Sequence, residues 1–408
     1  MTRRVVIVGT GMVTPFGESW DQNKKGYLSC KNAVRYMHEW DDIDGLVSRL
    51  AAPCDNFVAP DHYTRKKTRS MSRVSVLSTR ASEIALTQAG LIDDPILKSG
   101  KCGIAYGSSF GSSEAVLDFV SILTNKSTGD LTANSYVKLM PQTTAVNIAL
   151  FFGITGRIIP TCTACTSGSM AIGYGYEAIK FGLQDVMLCG GAEELTVGDV
   201  GVFDTMYATS SKNDTPALTP APFDKERDGL VIGEGAGTVI LEEYEHAKAR
   251  GANILGEIVG FATNCDATHI TAPNMETMQI CIDSSVKDAG IDKAQIKYIS
   301  THGTATSRGD VAETKATYNV FGNAPYVSTL KGYFGHTLGA CGAIEAISGL
   351  YMMNEGWFTP NLNLKNVDPE CGDLNYIKDE PLKLETEYIQ SNNFAFGGIN
   401  TSLIIKRV

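Results

Sequence analysis

Ile159-Pro160-Thr161-Cys162-Thr163-Ala164-Cys165-Thr166-Ser167-Gly168-Ser169 is the stretch on which the reading of this chain turns. An extended, apolar lead-in at 157–160 gives way to small polar residues. Met170 to Phe181 then reads as a helix that ends at Gly182. The pattern is strand, tight turn, helix. It puts Cys165 at or just before a helix N-terminus, where free N–H groups and the helix dipole favour a thiolate and lower the cysteine pKa. The same N–H groups can hold the oxyanion that forms when a thioester carbonyl is attacked. Two blander readings stay open on these residues alone. A free cysteine is most often a small buried core residue. Cys162 and Cys165 also form a C-x-x-C pair, but no second pair and no nearby histidine completes a metal site.

Outward from this turn, strand and helix signals alternate along the whole chain, which places it in the α/β class. Before it, strands are expected at 5–8 and 102–106, and a helix at 74–89 closed by Gly90. After it come strands at 185–189, 237–241, 253–261, 296–300, 325–329 and 401–406. Helices are expected at 275–289, 309–320 and 341–354, with Gly290, Gly322 and Gly356 near their C-terminal ends. The two halves have similar content without a linker between them. Val8-Gly9-Thr10-Gly11-Met12-Val13-Thr14 mimics a dinucleotide fingerprint, but Thr14 fills the sixth position and Pro15 interrupts the required helix. Gly233-Glu234-Gly235-Ala236-Gly237 reads as close packing.

The composition bounds the function. At 408 residues and 43% hydrophobic, the chain can bury a substantial core. A net charge of −10 argues against a general nucleic-acid or anionic-membrane binder. Ten scattered cysteines do not make a secreted disulfide framework. No run approaches the length of a membrane-spanning helix, and the apolar run at the N-terminus ends at Gly9, so a cytoplasmic location is expected.

Histidine is scarce: positions 38, 62, 246, 269, 302 and 336. His302, in Ser300-Thr301-His302-Gly303-Thr304-Ala305-Thr306, follows a strand directly. His336 lies in Lys331-Gly332-Tyr333-Phe334-Gly335-His336-Thr337-Leu338-Gly339. Glycines and small residues around both permit the close approach an acid–base imidazole needs. His38, His62 and His246 sit in polar contexts and read as solvated. His269 is expected to be non-catalytic.

With these motifs in order, the chain resembles the β-ketoacyl-acyl-carrier-protein synthases, the elongating condensing enzymes of the thiolase fold. Thr163 to Gly168 resembles the nucleophile motif of that family. His302 to Thr306 with Gly309, Asp310 and Glu313 resembles its first histidine motif, and Lys331 to Gly339 its second. Asn392-Asn393-Phe394-Ala395-Phe396-Gly397-Gly398-Ile399-Asn400 is similar to its C-terminal loop, and Pro222 to Gly237 is also family-like. The resemblance runs from about Val5 to Ile405.

It implies a layered α-β-α-β-α architecture with mixed five-stranded sheets, in two similar halves at 1–245, with Cys165, and 246–408, with His302 and His336. It implies a decarboxylative Claisen condensation. Cys165 would take the acyl group, and the backbone N–H groups of Cys165 and Phe396 would bind the oxyanion. His302 and His336 would stabilise the malonyl-derived enolate. Lys331 would support the histidine loops by pairing with Asp310 and Glu313. Thr304, Thr306 and Thr271 would bind the phosphopantetheine arm on an acyl carrier protein, with no permanently bound cofactor and no metal. The loop at 266–271 would lie at the pocket mouth. Arg65, Lys66 and Arg69, within a basic run reaching Arg73, would dock the acidic carrier. Tyr207 stands where some relatives carry an arginine. Phe110 and Ala395 would shape the acyl pocket toward short or unsaturated primers. A homodimer is expected, or a heterodimer with a related ketosynthase-like chain. Three other readings remain: a specialised aryl-polyene or polyketide ketosynthase, a non-elongating chain-length-factor-like subunit, and a degradative thiolase. The second would lack the nucleophile. The third needs a late catalytic cysteine, and none follows Cys371.

Overall fold

The structure, a computed structural model, describes residues 2–408. Its centre is an eleven-stranded mixed sheet. The strands are β1 (Val5–Val13), β2 (Cys102–Gly107), β3 (Ile158–Thr161), β4 (Val186–Glu193), β5 (Gly235–Glu243), β6 (Gly256–Cys265), β7 (Ile296–Ser300), β8 (Tyr326–Ser328), β9 (Asn375–Tyr376), β10 (Tyr388–Phe394) and β11 (Ile399–Lys406). Across the sheet the order is β9-β8-β7-β10-β11-β6-β1-β5-β4-β2-β3. β1 and β6 join the two sets of strands through only three residue pairs, Val5 with Ile258, Val6 with Glu257 and Ile7 with Gly256.

The two sets repeat one topology. β1, β5, β4, β2 and β3 lie side by side, with β1–β5 and β5–β4 antiparallel and β4–β2 and β2–β3 parallel. β6, β11, β10, β7 and β8 reproduce that order and those directions. β9 adds one further parallel strand at the edge. The repeat explains why the halves read alike in element content while sharing little sequence.

Five helices make the layers: α1 (Arg73–Gln88), α2 (Ser167–Lys180), α3 (Met275–Ala289), α4 (Ser307–Phe321) and α5 (Cys341–Glu355). α1 covers β1 and β5 on one outer face; α3 covers β6 and β11 on the other, with α4 packed beside it. α2 and α5 form the middle layer and touch each other. They are short of bulk at the crossing. A Cβ on Gly168 would lie 2.9 Å from the Ala343 nitrogen, and one on Gly342 2.7 Å from the Ser169 nitrogen. These separations are below any ordinary contact, so both positions require glycine.

The strand at the N-terminus continues past Gly9 to Val13. Its glycines serve α1: added Cβ atoms would stand 2.3 Å from the Ala85 carbonyl oxygen at Gly9 and 2.1 Å from that of Ala81 at Gly11. The apparent dinucleotide fingerprint is therefore a strand pressed against a helix. Gly237 likewise backs directly onto Ala343 and Ile344. α3 has the bounds expected from the sequence, whereas α2 begins at Ser167, ahead of the expected Met170, directly after a 3-10 turn over Ala164–Thr166. Among the described residues, no helix is long and apolar enough to cross a membrane.

Candidate active site

The repeated topology places Cys165 and His336 at matching points. Each follows the third strand of its set and precedes a middle-layer helix, β3 to α2 for Cys165 and β8 to α5 for His336. His302 follows β7 directly. The three side chains are buried, and the cysteine sulfur and one nitrogen of each imidazole lie within 4.8 Å of one another. The imidazole rings are 5.1 Å apart and nearly perpendicular. All three line one cavity of about 480 Å³.

Each loop carries a non-glycine residue in the left-handed region: Ala164 (φ 49°), Ala305 (φ 65°) and Leu338 (φ 44°). Such backbone costs on the order of 1–3 kcal/mol per residue, and surrounding contacts must hold it in place. Those contacts are visible for the His302 loop. Glu313 accepts hydrogen bonds from the N–H of His302 (2.6 Å) and of Gly303 (2.8 Å). Asp310 accepts from Thr304 (3.0 Å), Ala305 (3.1 Å) and Phe223 (2.8 Å).

Lys331 does not pair with Asp310 or Glu313, contrary to the expectation. Its ammonium donates to Glu345 (2.6 Å) and to the His302 carbonyl (2.7 Å). The acidic pair satisfies itself on backbone N–H groups, and Asp310 faces Arg227 at 3.6 Å. Glu345 is held on its other oxygen by the Asn393 amide at 2.7 Å. The Lys331 ammonium and the Asn393 amide each lie 3.4 Å from His302 Nδ1. Two donors facing Nδ1 make it the acceptor, so the proton of the neutral ring sits on Nε2.

Burial, and then the Lys331 charge, hold both imidazoles well below the usual histidine range, so both are neutral. Neither ring nitrogen of His336 has a hydrogen-bond partner among the described residues, although both are buried. A buried polar group left open in this way suits a partner that arrives with substrate. Burial pushes the Cys165 thiol up to about 12, against the pull of Lys331 and of the backbone N–H groups of Phe396 and Cys165. The expectation of a resting thiolate is thus corrected. A helix terminus contributes about 0.3–1 kcal/mol, less than the ~1.4 kcal/mol of one pKa unit; removing the sulfur from water costs several times more. What survives is the influence of the Phe396 and Cys165 backbone N–H groups on the sulfur, the donor type an oxyanion hole uses. A metal ion on Cys165, His302 and His336 would sit beside the buried Lys331 cation, and the trio lacks the fourth ligand of a structural zinc site.

The other expected residues divide. Thr304, Thr306, Thr271 and Ala395 line the cavity, as do His269 and Tyr207 near its mouth. Arg65, Lys66 and Arg69 are exposed, whereas Arg73 is spent on Glu234, with N···O 2.5 Å. Phe110 corrects the pocket argument: it is 48% exposed and does not line this cavity. The histidines read as solvated are exposed at the side chain, and His62 and His246 also meet Glu83 and Glu242. Sequence reading missed Glu345 and Arg227 as supports. Arg227 donates to the Thr306 (3.3 Å) and Ser307 (2.9 Å) carbonyls and so fixes the threonine-bearing segment. Glu345 lies fourteen residues beyond Lys331 on the buried, mostly apolar part of its helix, and a charge there was its only signal.

Comparison with known proteins agrees with this geometry. The family model for the beta-ketoacyl synthase N-terminal domain matches residues 2–247, and that for the C-terminal domain matches 255–365. The chain is 35% identical over 411 residues to the 3-oxoacyl-[acyl-carrier-protein] synthase 2 of Synechocystis sp., covering 99% of this chain and 98% of the relative. The crystal structure of a beta-ketoacyl synthase from Burkholderia phymatum is 54% identical with a TM-score of 0.98, over 100% of both chains. A type II PKS acyl-carrier protein in complex with its ketosynthase bound to the hexaketide matches at 28% identity and a TM-score of 0.88, again over 100% of both. The chain belongs to the beta-ketoacyl synthase family, and it is an acyltransferase-type condensing enzyme of the thiolase fold.

Proposed function

We propose that the protein is a β-ketoacyl-acyl-carrier-protein synthase in which Cys165 holds the acyl group and His302 and His336 drive decarboxylative condensation with malonyl carrier. The observation that carries this is the convergence of one thiol and two neutral imidazoles within 4.8 Å, at a cavity that Phe396 also lines.

The steps follow from the charge states. The thiol of Cys165 attacks the acyl thioester carbonyl, and its proton passes through an adjacent imidazole to the departing carrier sulfur. The N–H groups of Cys165 and Phe396 stabilise the oxyanion. Malonyl carrier then enters. Its carboxylate leaves as carbon dioxide, and the bonding electrons become an enolate whose oxygen accepts hydrogen bonds from His302 Nε2–H and from His336. The enolate carbon attacks the acyl-cysteine carbonyl, a C–C bond forms and the C–S bond breaks. The freed sulfur takes up one proton. Thr304, Thr306 and Thr271 would hold the pantetheine arm, and Lys331 would act by fixing His302. A complete constellation disfavours a non-elongating partner subunit.

The same proposal covers partners and setting. The chain reads as two halves, 1–245 and 246–408, working in the cytoplasm on fatty-acid elongation. β3 is a sheet edge whose Ile158 and Pro160 are exposed, close in sequence to the exposed Leu150, so a second related chain would extend the sheet there. The acyl carrier would dock on Arg65, Lys66 and Arg69, which are free of ion pairs among the described residues. Reversing these three charges to glutamate is expected to raise KM for acyl carrier about tenfold or more, ~1.4 kcal/mol. KM for the same acyl group on a small uncharged thioester is expected to stay put. Steady-state kinetics with both donors checks this; equal effects on both would refute docking at this face.

A further inference from the structure

Glu193 closes β4 and is 1% exposed. Its position in the first set of strands corresponds to Phe394 in the second, the residue that leads into the Phe396 loop. The Glu193 carboxylate accepts from four donors. Ser108 Oγ (2.8 Å) reaches one oxygen; the Ser109 N–H (2.7 Å), the Ser109 hydroxyl and the Gly339 N–H (3.0 Å) reach the other. These donors belong to two separate segments. Ser108 and Ser109 follow β2, the counterpart of the strand before His302. Gly339 follows His336 by three residues, in the turn whose carbonyl packs on Gly168 beside the nucleophile. Ser109 in turn accepts from the Cys162 thiol at 3.4 Å, next to the Cys165 turn.

Glu193 thus ties together three of the segments around the sulfur, as Glu313 and Asp310 tie the His302 loop. It differs from Glu345 in having no ion-pair partner among the described residues. The charged and titratable groups around it are Asp199, Cys162 and Cys165. A buried carboxylate in that company exists as an anion only by virtue of its four donors. When ionised it opposes negative charge on Cys165.

We propose that Glu193 is a positioning residue for the reaction: its buried carboxylate locks the nucleophile turn to the His336 segment, and its own ionisation sets how readily Cys165 gives up its proton. This rests on Cys165 being the nucleophile but not on the identity of the acyl group. Burial pushes Glu193 up to about 7, with Asp199 acting in the same direction, so the charge changes within the working range. Below that pH it is neutral and leaves Cys165 alone. Above it, the anion resists thiolate formation. Reaction of Cys165 with a small uncharged alkylating reagent should therefore rise less steeply with pH around 7 than thiolate formation alone dictates.

The test follows alkylation at the Cys165 peptide, by mass, across the pH range in the full-length protein. Glu193→Gln keeps an acceptor for Ser109 and Gly339 but cannot ionise. Its profile is expected to lose the shallow section and to exceed wild type about three- to tenfold above pH 7, the size of a shift of ~0.5–1 unit. Ser109→Ala removes a donor that favours the anion, so the shallow section is expected to move to higher pH. A wild-type profile in folded Glu193→Gln, or, if that variant does not fold, in Ser109→Ala, would overturn the proposal. Loss of activity at every pH with an unchanged profile shape would also overturn it, since that is what a purely structural carboxylate gives.

Discussion

Lys331→Met is expected to cost about 3–5 kcal/mol of stability at neutral pH, because it strands Glu345 in the core. Both partners are 2% exposed or less at the side chain, and Lys331 supplies the only cation on that carboxylate among the described ion pairs. Burial already holds Glu345 above the usual carboxylate range, with Lys331 as the main opposing influence. Without the ammonium, the folded-state pKa rises further above the unfolded value. The native variant then holds a proton that its unfolded chain releases, so its stability falls as pH rises. Denaturation at about pH 5.5 and about pH 8 should show the deficit shrinking toward acid. A deficit independent of pH would mean that Glu345 is not the stranded group. The variant also loses a donor to His302 Nδ1, so condensation should fall in molecules that remain folded.

Removal of either histidine separates the two half-reactions. In His302→Ala and in His336→Ala, transfer of the acyl group to Cys165 is expected to persist within about tenfold, since the oxyanion donors are backbone groups that neither substitution removes. Condensation is expected to drop on the order of 10²–10³, the usual cost of deleting one oxyanion donor. The difference arises because the enolate oxygen draws on both rings, whose nitrogens are otherwise unpartnered in His336 and fixed as an Nε2 donor in His302. Single-turnover acylation measured beside carbon dioxide release separates the two. Equal losses in both steps would assign the histidines to the nucleophile alone.

Much of this site is legible in the chain because its chemistry is local. The turn before α2, the glycines around His302 and His336, and the Phe394–Asn400 loop each need small residues at fixed spacing, and small residues leave a mark in sequence. The bounds of α3 are legible because its apolar period and Gly290 cap agree. What could not be read was pairing across distance. Lys331 pairs with neither Asp310 nor Glu313 but with Glu345 on the following helix, since backbone N–H groups already saturate the first two. Phe110 is a similar case: it follows Ser108 and Ser109, which bind Glu193 from another strand, and it stands exposed outside the cavity. The Cys165 thiol could not be read from its helix terminus, because burial depth is a property of the whole fold and it outweighs the dipole.

The central claim is that Cys165 carries the acyl group. Intact-mass analysis after offering a panel of acyl carriers measures this without intermediaries. The wild-type protein should gain the mass of one acyl group, mapped to the Cys165 peptide, and lose it when malonyl carrier is added. Cys165→Ala should gain nothing and form no β-ketoacyl product. Acylation and condensation persisting in Cys165→Ala would contradict the account.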